Sequence, residues 1–195
     1  MDAQRLLLEQ YDFVAMVSTG MVYAGLQGDQ LRLHPQERQN SLAWLLWHAT
    51  RWEDVVVNTW VAGQPQVLDR QDWLAHLRVP DRHCGTAMTP AEAAQVSAQV
   101  DLDALRAYRE AVEERTRAVV TALRAEDLDE MVDTARLQQS VSDGTYGNPR
   151  AQWMDDFWAN HTKGWFLAFV NTHNAEQLIA EAICVRSLGG FPLGI

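Results

Sequence analysis

Two histidines interrupt the apolar faces of segments that the sequence predicts to be helical. His48 lies within the apolar stripe of one such segment, and His173 begins the string HNAEQ in another. Glu176 and Gln177 follow His173 at three and four residues. Because residues three and four apart share a helix face, either side chain could reach an ion bound by His173.

A divalent ion held by two imidazoles and one oxygen ligand keeps positions open for water or another small ligand. Such an ion lowers the pKa of a bound water or thiol toward neutrality and so provides a nucleophile. We therefore predict a metal site formed by His48 and His173, with Gln177 or Glu176 as the third ligand. The alternative is that each histidine is a hydrogen-bonded core residue without a ligand.

Other catalytic signatures are missing from the sequence. It contains no P-loop, no GxGxxG after a strand, no CxxC and no GxSxG, so nucleotide binding and serine-hydrolase chemistry lack support. The general acid or base stays unassigned, with Glu53, Asp54 and Glu181 as candidates. Cys84 and Cys184 are too few for a disulfide framework and are expected to be unpaired.

The elements that must position these residues are predicted to be helices. Apolar residues recur at spacings of three and four, and no alternating Val/Ile/Thr runs bounded by tight turns indicate strands. The fold class is therefore all-α, a four-helix bundle with a long crossover between helices two and three, forming a single domain over residues 1–195. The long helices are predicted at about residues 2–26, 40–63, 101–123 and 163–187.

The connections carry weaker signals. A short helix is predicted around residues 70–77, followed by the turn-rich VPDRHCGTAM, which is interpreted as connection and not core. The string TPAE at Thr89 predicts a capping box and a helix start. Residues 125–145 are expected to form a loop with one short helical turn that could overhang a site. A helical pattern resumes after Pro149 and should break near residues 162–164.

Composition limits the partners. The 195 residues carry a formal net charge of −10 with a pI near 4.9, which disfavours binding to a phosphate backbone. The chain has neither the long apolar run of a membrane span nor the basic start of a secretory signal, so we predict a cytoplasmic protein. A small-molecule substrate is the expected partner, without nucleic acid or membrane. The helix faces also allow a homodimer, because periodicity does not distinguish a core stripe from an interface.

Three segments resemble the DinB family of four-helix-bundle proteins. NSLAWLLWHATRWED at residues 40–54 is similar to the family's second helix, in which an apolar run ends at a metal-binding histidine. TPAEAAQVSAQVDLDALRAYREAVEERT at residues 89–116 resembles the crossover and third helix of some members. NTHNAEQLIAEAICVRSLGG at residues 171–190 resembles the closing helix, where a His-x-x-x-His pair precedes an Arg, a Leu and a Gly.

This resemblance implies a metal centre and a reaction class. His48 and His173 take two ligand positions of the family, whereas Gln177 stands where the family has its last histidine and Glu176 offers a substitute. The implied cofactors are a divalent ion, Zn or Ni, and a low-molecular-weight thiol such as mycothiol or bacillithiol. The implied activity is that of a thiol S-transferase or isomerase. The alternative is a non-catalytic small-molecule-binding bundle that has lost its metal and uses a Trp-lined crevice.

Overall fold

Four long helices form the body of the protein in a computed structural model, which describes residues 2–37, 39–80, 82–146, 150–151 and 155–193. An isolated antiparallel bridge joins Met131 and Thr162, and the described residues contain no strand. The prediction of an all-α bundle is confirmed. Within the described ranges, none of the helices combines the length and apolar composition that a bilayer span requires.

The helices are numbered α1 to α10 along the chain. The long ones are α1, α3, α6 and α9, and the others lie in the connections or extend α9. Their bounds are α1 Ala3–Val17, α2 Asp29–Arg32, α3 Leu42–Glu53, α4 Trp73–Leu77, α5 Pro90–Gln99, α6 Leu102–Ala122, α7 Thr134–Ser142, α8 Asp155–Trp158, α9 Lys163–Ala175 and α10 Ala182–Leu188.

Side-chain caps explain where most of these helices begin. Ser41 accepts a hydrogen bond from the Trp44 amide at the start of α3, and Asp101 does the same for α6. The predicted capping box is present, since Thr89 and Glu92 bond reciprocally at the start of α5. The predicted break before α9 is also present, with Thr162 as the N-cap.

Three of the long helices widen into π-helical turns. Ser18–Val22 continues α1, Asp54–Val61 continues α3, and Glu176–Glu181 joins α9 to α10. Each adds one residue to the turn and rotates the subsequent residues out of the 3.6-residue period. A regular 3.6-residue period through Tyr11, Val14 and Ser18 predicts that Met21 and Gly25 face the core. This prediction fails beyond Ser18, because Val22 is fully buried, Met21 is half-buried and Gly25 is exposed.

The connections differ from their predictions in two places. Residues 134–142 form α7 instead of the predicted loop, because α7 is capped by Asp133 and packs on the π-turn after α3. The crossover string VPDRHCGTAM is predicted to be connection only, yet Cys84 within it is fully buried. The predicted helical restart after Pro149 lies partly outside the described residues, and the described part contains α8.

The apolar core is divided into two clusters. The first contains apolar residues from the first halves of α3 and α6 and from α10. The second contains apolar residues from the π-turn after α3, the end of α6 and the start of α9. Buried polar residues occupy the junction along the same helices, among them Glu53, Asp54, Thr116 and Asn174. Burying polar groups there requires hydrogen-bond partners.

Candidate functional site

His48 and His173 lie side by side although they are far apart in the sequence. Their ring centroids are 5.2 Å apart, with an angle of 57° between the ring planes. His48 projects from α3 and His173 from the last turn of α9, and both line one cavity of about 440 Å³. The two imidazoles therefore face a common space in which one ligand could contact both.

The orientation of His48 is set by a backbone carbonyl and a stacked indole. Its Nδ1 lies 2.5 Å from the carbonyl oxygen of Cys84, which can only accept a hydrogen bond. Nδ1 therefore carries the proton, and Nε2 keeps its lone pair. Trp44 stacks on the ring with centroids 4.5 Å apart, and Gly85 approaches so closely that a Cβ there would lie 3.2 Å from Nδ1.

Both imidazoles are held in the neutral form. Burial lowers the pKa of His48 to about 3, assisted by the neighbouring His173 and opposed by the hydrogen bond to Cys84. Burial likewise lowers the pKa of His173 to about 4, while the Asn174 side chain and the charge of Glu53 act in the opposite direction. Neutral imidazole is the form that binds a metal ion.

The two candidate oxygen ligands separate at the π-turn. Glu176 is exposed and lines the same cavity as the histidines, whereas Gln177 does not line it. Gln177 hydrogen-bonds to Glu181, which is also bonded by Asn40. Because the turn Glu176–Glu181 is wider than an α-helical turn, the residue four positions after His173 does not stack directly above it.

The acid and base candidates do not offer a free carboxylate to the cavity. Glu53 and Asp54 are fully buried, and neither lines the cavity of the histidines. Burial raises the pKa of Glu181, with a further contribution from the charge of Glu176, against the hydrogen bonds from Asn40 and Gln177. Glu176 is the only carboxylate among the described residues that line this cavity.

The remaining walls are mostly aromatic or apolar, and Asn40 and Thr86 are their polar members. No lysine or arginine is found among the described lining residues. The cavity therefore favours an uncharged or planar ligand over an anion. The aromatic and thioether members of the wall are Trp44, Trp52, Met88, Phe157, Trp158 and Phe169.

Sequence reasoning missed the crossover's contribution to the site. Cys84 supplies the carbonyl for His48, and residues Gly85 to Met88 form one wall of the cavity. His83 is half-buried beside Trp47, and its charge, when present, would disfavour protonation of His48. The only signal in the sequence is the dipeptide Cys84-Gly85 in a turn-rich stretch, which by itself marks nothing more than a turn.

Three residues at the cavity have side chains of the kinds that bind divalent ions. Two neutral imidazoles and the rim carboxylate of Glu176 suit a divalent ion with open positions. A cluster of three or more His, Cys, Asp or Glu in ligand geometry is not found in the part of the chain that the structure describes. The residues fit an ion held mainly by two histidines.

Comparisons with known proteins assign the chain to a family. The model of the DinB superfamily matches residues 19–178. The chain belongs to the DinB superfamily. The match includes His48, His173 and Gln177, together with the crossover that carries Cys84.

The fold of this DinB protein is also found among solved structures. One of them is described as the crystal structure of the conserved protein of locus from Enterococcus faecalis, and it superposes with a TM-score of 0.73 at 19% sequence identity. The alignment covers 96% of this chain and 97% of the other. No curated protein matches the sequence.

Proposed function

We propose that this protein is a divalent-metal-dependent DinB enzyme in which His48 and His173 bind the ion. The observation that carries the proposal is the pair of neutral imidazoles facing one cavity, with centroids 5.2 Å apart. Glu176 is the candidate third ligand because it lines the same cavity. A bound Zn or Ni ion would lower the pKa of a small thiol or a water and so supply a nucleophile at neutral pH.

The chain's own residues bind and orient the reactants. Cys84 fixes the tautomer of His48, so that Nε2 is available to the ion. The aromatic wall, including Trp52, Trp158 and Phe169, would hold the apolar part of an electrophilic substrate. The reaction proposed is transfer of a small thiol, of the mycothiol or bacillithiol kind, to such a substrate, or an isomerisation assisted by that thiol.

Metal content tests the ligands. Protein purified without a metal-affinity tag is expected to contain about one divalent ion per chain by elemental analysis. His48→Ala and His173→Ala should each lose most of it, whereas His76→Ala, on an exposed turn of α4, should retain it. Equal occupancy in all four proteins, or none in the wild type after incubation with Zn or Ni, would contradict the proposal.

Thiol transfer tests the reaction. The metal-loaded protein is incubated with mycothiol or bacillithiol and an uncharged aromatic electrophile, and loss of free thiol is followed. We expect a rate above background that disappears in His48→Ala and with a chelator. A thiol consumption that is independent of metal would show that the ion is not part of the chemistry.

A second candidate function is non-catalytic binding of a small apolar molecule. The observation that favours it is that Gln177 is hydrogen-bonded to Glu181 and lies outside the cavity lining. This alternative predicts no metal in the purified protein, but a rise in melting temperature with aromatic ligands. Under it, replacing Trp52 or Phe169 would abolish that rise, and replacing His173 by Gln would not.

A further inference from the structure

Asn174, next to His173 on α9, is almost fully buried, and its amide nitrogen makes a side-chain hydrogen bond whereas its amide oxygen does not. Its Nδ2 donates to Oε2 of Glu53 over 2.7 Å. Its Oδ1 is buried and makes no hydrogen bond of standard geometry to the described residues. A buried carbonyl oxygen left in this way costs free energy, so its persistence calls for a donor.

Glu53 holds the Asn174 amide in one orientation. Its carboxylate accepts hydrogen bonds from four side chains, each at 2.7 Å or less. Because both carboxylate oxygens are acceptors, the end of Asn174 that faces Glu53 must be the NH₂ group. The Oδ1 atom therefore points away from Glu53. The four donors come from α1, α6, α6 and α9, namely Tyr11, Arg109, Thr116 and Asn174.

The ring N–H of His173 needs a hydrogen-bond acceptor, and the side-chain oxygen of Asn174 is an acceptor. A neutral imidazole has one ring N–H and one lone pair, and a metal-binding histidine generally donates its N–H to a second residue. His48 has such an acceptor in the carbonyl of Cys84. The Asn174 side chain lies beside the His173 ring, within hydrogen-bonding reach of it.

We propose that Asn174 is a positioning residue for His173: Glu53 orients the Asn174 amide, whose Oδ1 accepts the ring N–H of His173 and leaves the other ring nitrogen free toward the cavity. The Asn174 amide, held by Glu53, then fixes the tautomer of His173, as the Cys84 carbonyl fixes the tautomer of His48. It also links the site to all four long helices through Glu53. The inference builds on the proposed role of His173, but its main test requires no metal.

The test measures the tautomer of His173 by ¹⁵N NMR on the full chain, free of metal, at pH 7. We expect the wild-type ring to show one protonated and one bare nitrogen. Asn174→Leu, which removes both halves of the amide, should give a mixture of tautomers at His173 and leave His48 unchanged. A mixture already present in the wild type would overturn the proposal, whether or not the variants fold.

Two further variants separate positioning from stability. Asn171 lies one turn earlier on α9, is similarly buried and donates to the carbonyl of Leu7, so Asn171→Leu is the matched control. It should destabilise the fold without changing the tautomer of His173. Asn174→Asp retains an acceptor beside His173 but places a carboxylate against Glu53, so it should destabilise more than Asn174→Leu and still keep one tautomer. A tautomer that follows stability across the three variants would contradict the proposal.

Metal affinity gives a second readout. Loss of an outer hydrogen-bond partner typically weakens metal binding by roughly tenfold to hundredfold. We expect such a loss of Co²⁺ affinity in Asn174→Leu and none in Asn171→Leu, monitored by the visible spectrum of Co²⁺. If the wild type binds no Co²⁺ while its His173 shows a single tautomer, the metal proposal fails and the positioning proposal stands.

Discussion

Glu53 and Asp54 are neighbours on the chain, fully buried, and each paired with an arginine and a tyrosine, yet they serve different regions. Glu53 bonds to side chains of α1, α6 and α9 and reaches Asn174 beside the histidine pair. Asp54 accepts from the backbone amides of Val67 and Leu68 in the crossover. One carboxylate assembles the helices under the site, and the other anchors a connection.

The difference shows that burial and charge alone do not identify a functional carboxylate. The Asp54 region contains Arg51, whose guanidinium bonds to Asp54, Gln66 and the carbonyl of Arg82. Tyr108 donates to Asp54 over 2.5 Å and completes a local structural network. What distinguishes Glu53 is the position of its partners, because one of them adjoins His173.

The largest expected effect tests this comparison directly. Glu53→Ala and Asp54→Ala each leave a buried arginine without its carboxylate partner. Each should therefore lower the free energy of unfolding by about 3–5 kcal/mol. Only Glu53→Ala should also weaken metal binding, because only it releases Asn174. Chemical denaturation and Co²⁺ titration measure the two quantities. Equal losses of affinity in both variants would remove the distinction between the regions.

The milder pair Glu53→Gln and Asp54→Asn sharpens the test should the alanine variants fail to fold. Each keeps the shape of the side chain and loses its charge. The same division is expected, with a loss of Co²⁺ affinity for Glu53→Gln alone. Retained affinity in Glu53→Gln together with a single His173 tautomer would show that the charge of Glu53 is dispensable to the site.

The next effect concerns pH. His48 and His173 have folded-state pKa values of about 3 and about 4, below the ordinary value near 6.5. Between pH 4 and about 6.5 the unfolded chain binds more protons than the folded chain. The free energy of unfolding therefore falls as the pH drops through this range. In chelator, the His48→Gln/His173→Gln double variant should lose less stability over this range than the wild type. If the free energy of unfolding falls equally with pH in the two proteins, the assignment of this pH dependence to the two histidines is wrong.

A smaller effect is expected at the crossover wall. Gly85 has φ of +91°, and an added Cβ would lie 2.6 Å from the ring of Trp47. Gly85→Ala should cost about 1–3 kcal/mol from backbone strain alone, with a further loss of metal affinity as His48 is displaced. Gly25 also has positive φ but nothing within 4 Å, so Gly25→Ala should affect stability without affecting the metal.

The smallest effect separates the two oxygen candidates. Glu176→Gln should weaken metal binding by about tenfold or less, since an exposed carboxylate at a cavity rim contributes little to an ion in water. Gln177→Ala should leave affinity unchanged. A larger loss in Gln177→Ala would mean that this amide turns into the cavity when an ion binds.

The fold could be predicted because its helix periods and caps are local properties. The capping box at Thr89 and Glu92 and the Asp101 cap are set by residues within a few positions, and the structure contains both. The break before α9 could also be predicted, because a helix of about 40 consecutive residues would be far too long for the bundle.

The site was harder to predict because the residues that contact its histidines and their neighbours are distant from them in the sequence. The pairing of His48 with Cys84, and of Asn174 with Glu53, joins residues 36 and 121 positions apart. Periodicity also assumed 3.6 residues per turn throughout, and the π-turns break that assumption at Met21 and at Gln177. Residue types suggested the two imidazoles, but only the tertiary structure shows what lies behind them.

The π-turn Glu176–Glu181 also determines how α10 meets the rest of the molecule. Arg186 on α10 donates to the carbonyl oxygens of Val22 and Ala24, where the first helix ends and its own backbone acceptors are unused. If the same residues were wound at 3.6 per turn, without the wider turn, Arg186 would point about 100° away from those carbonyls. The wider turn thus aligns the arginine with the end of the first helix, so a change that straightened the turn would also release that end.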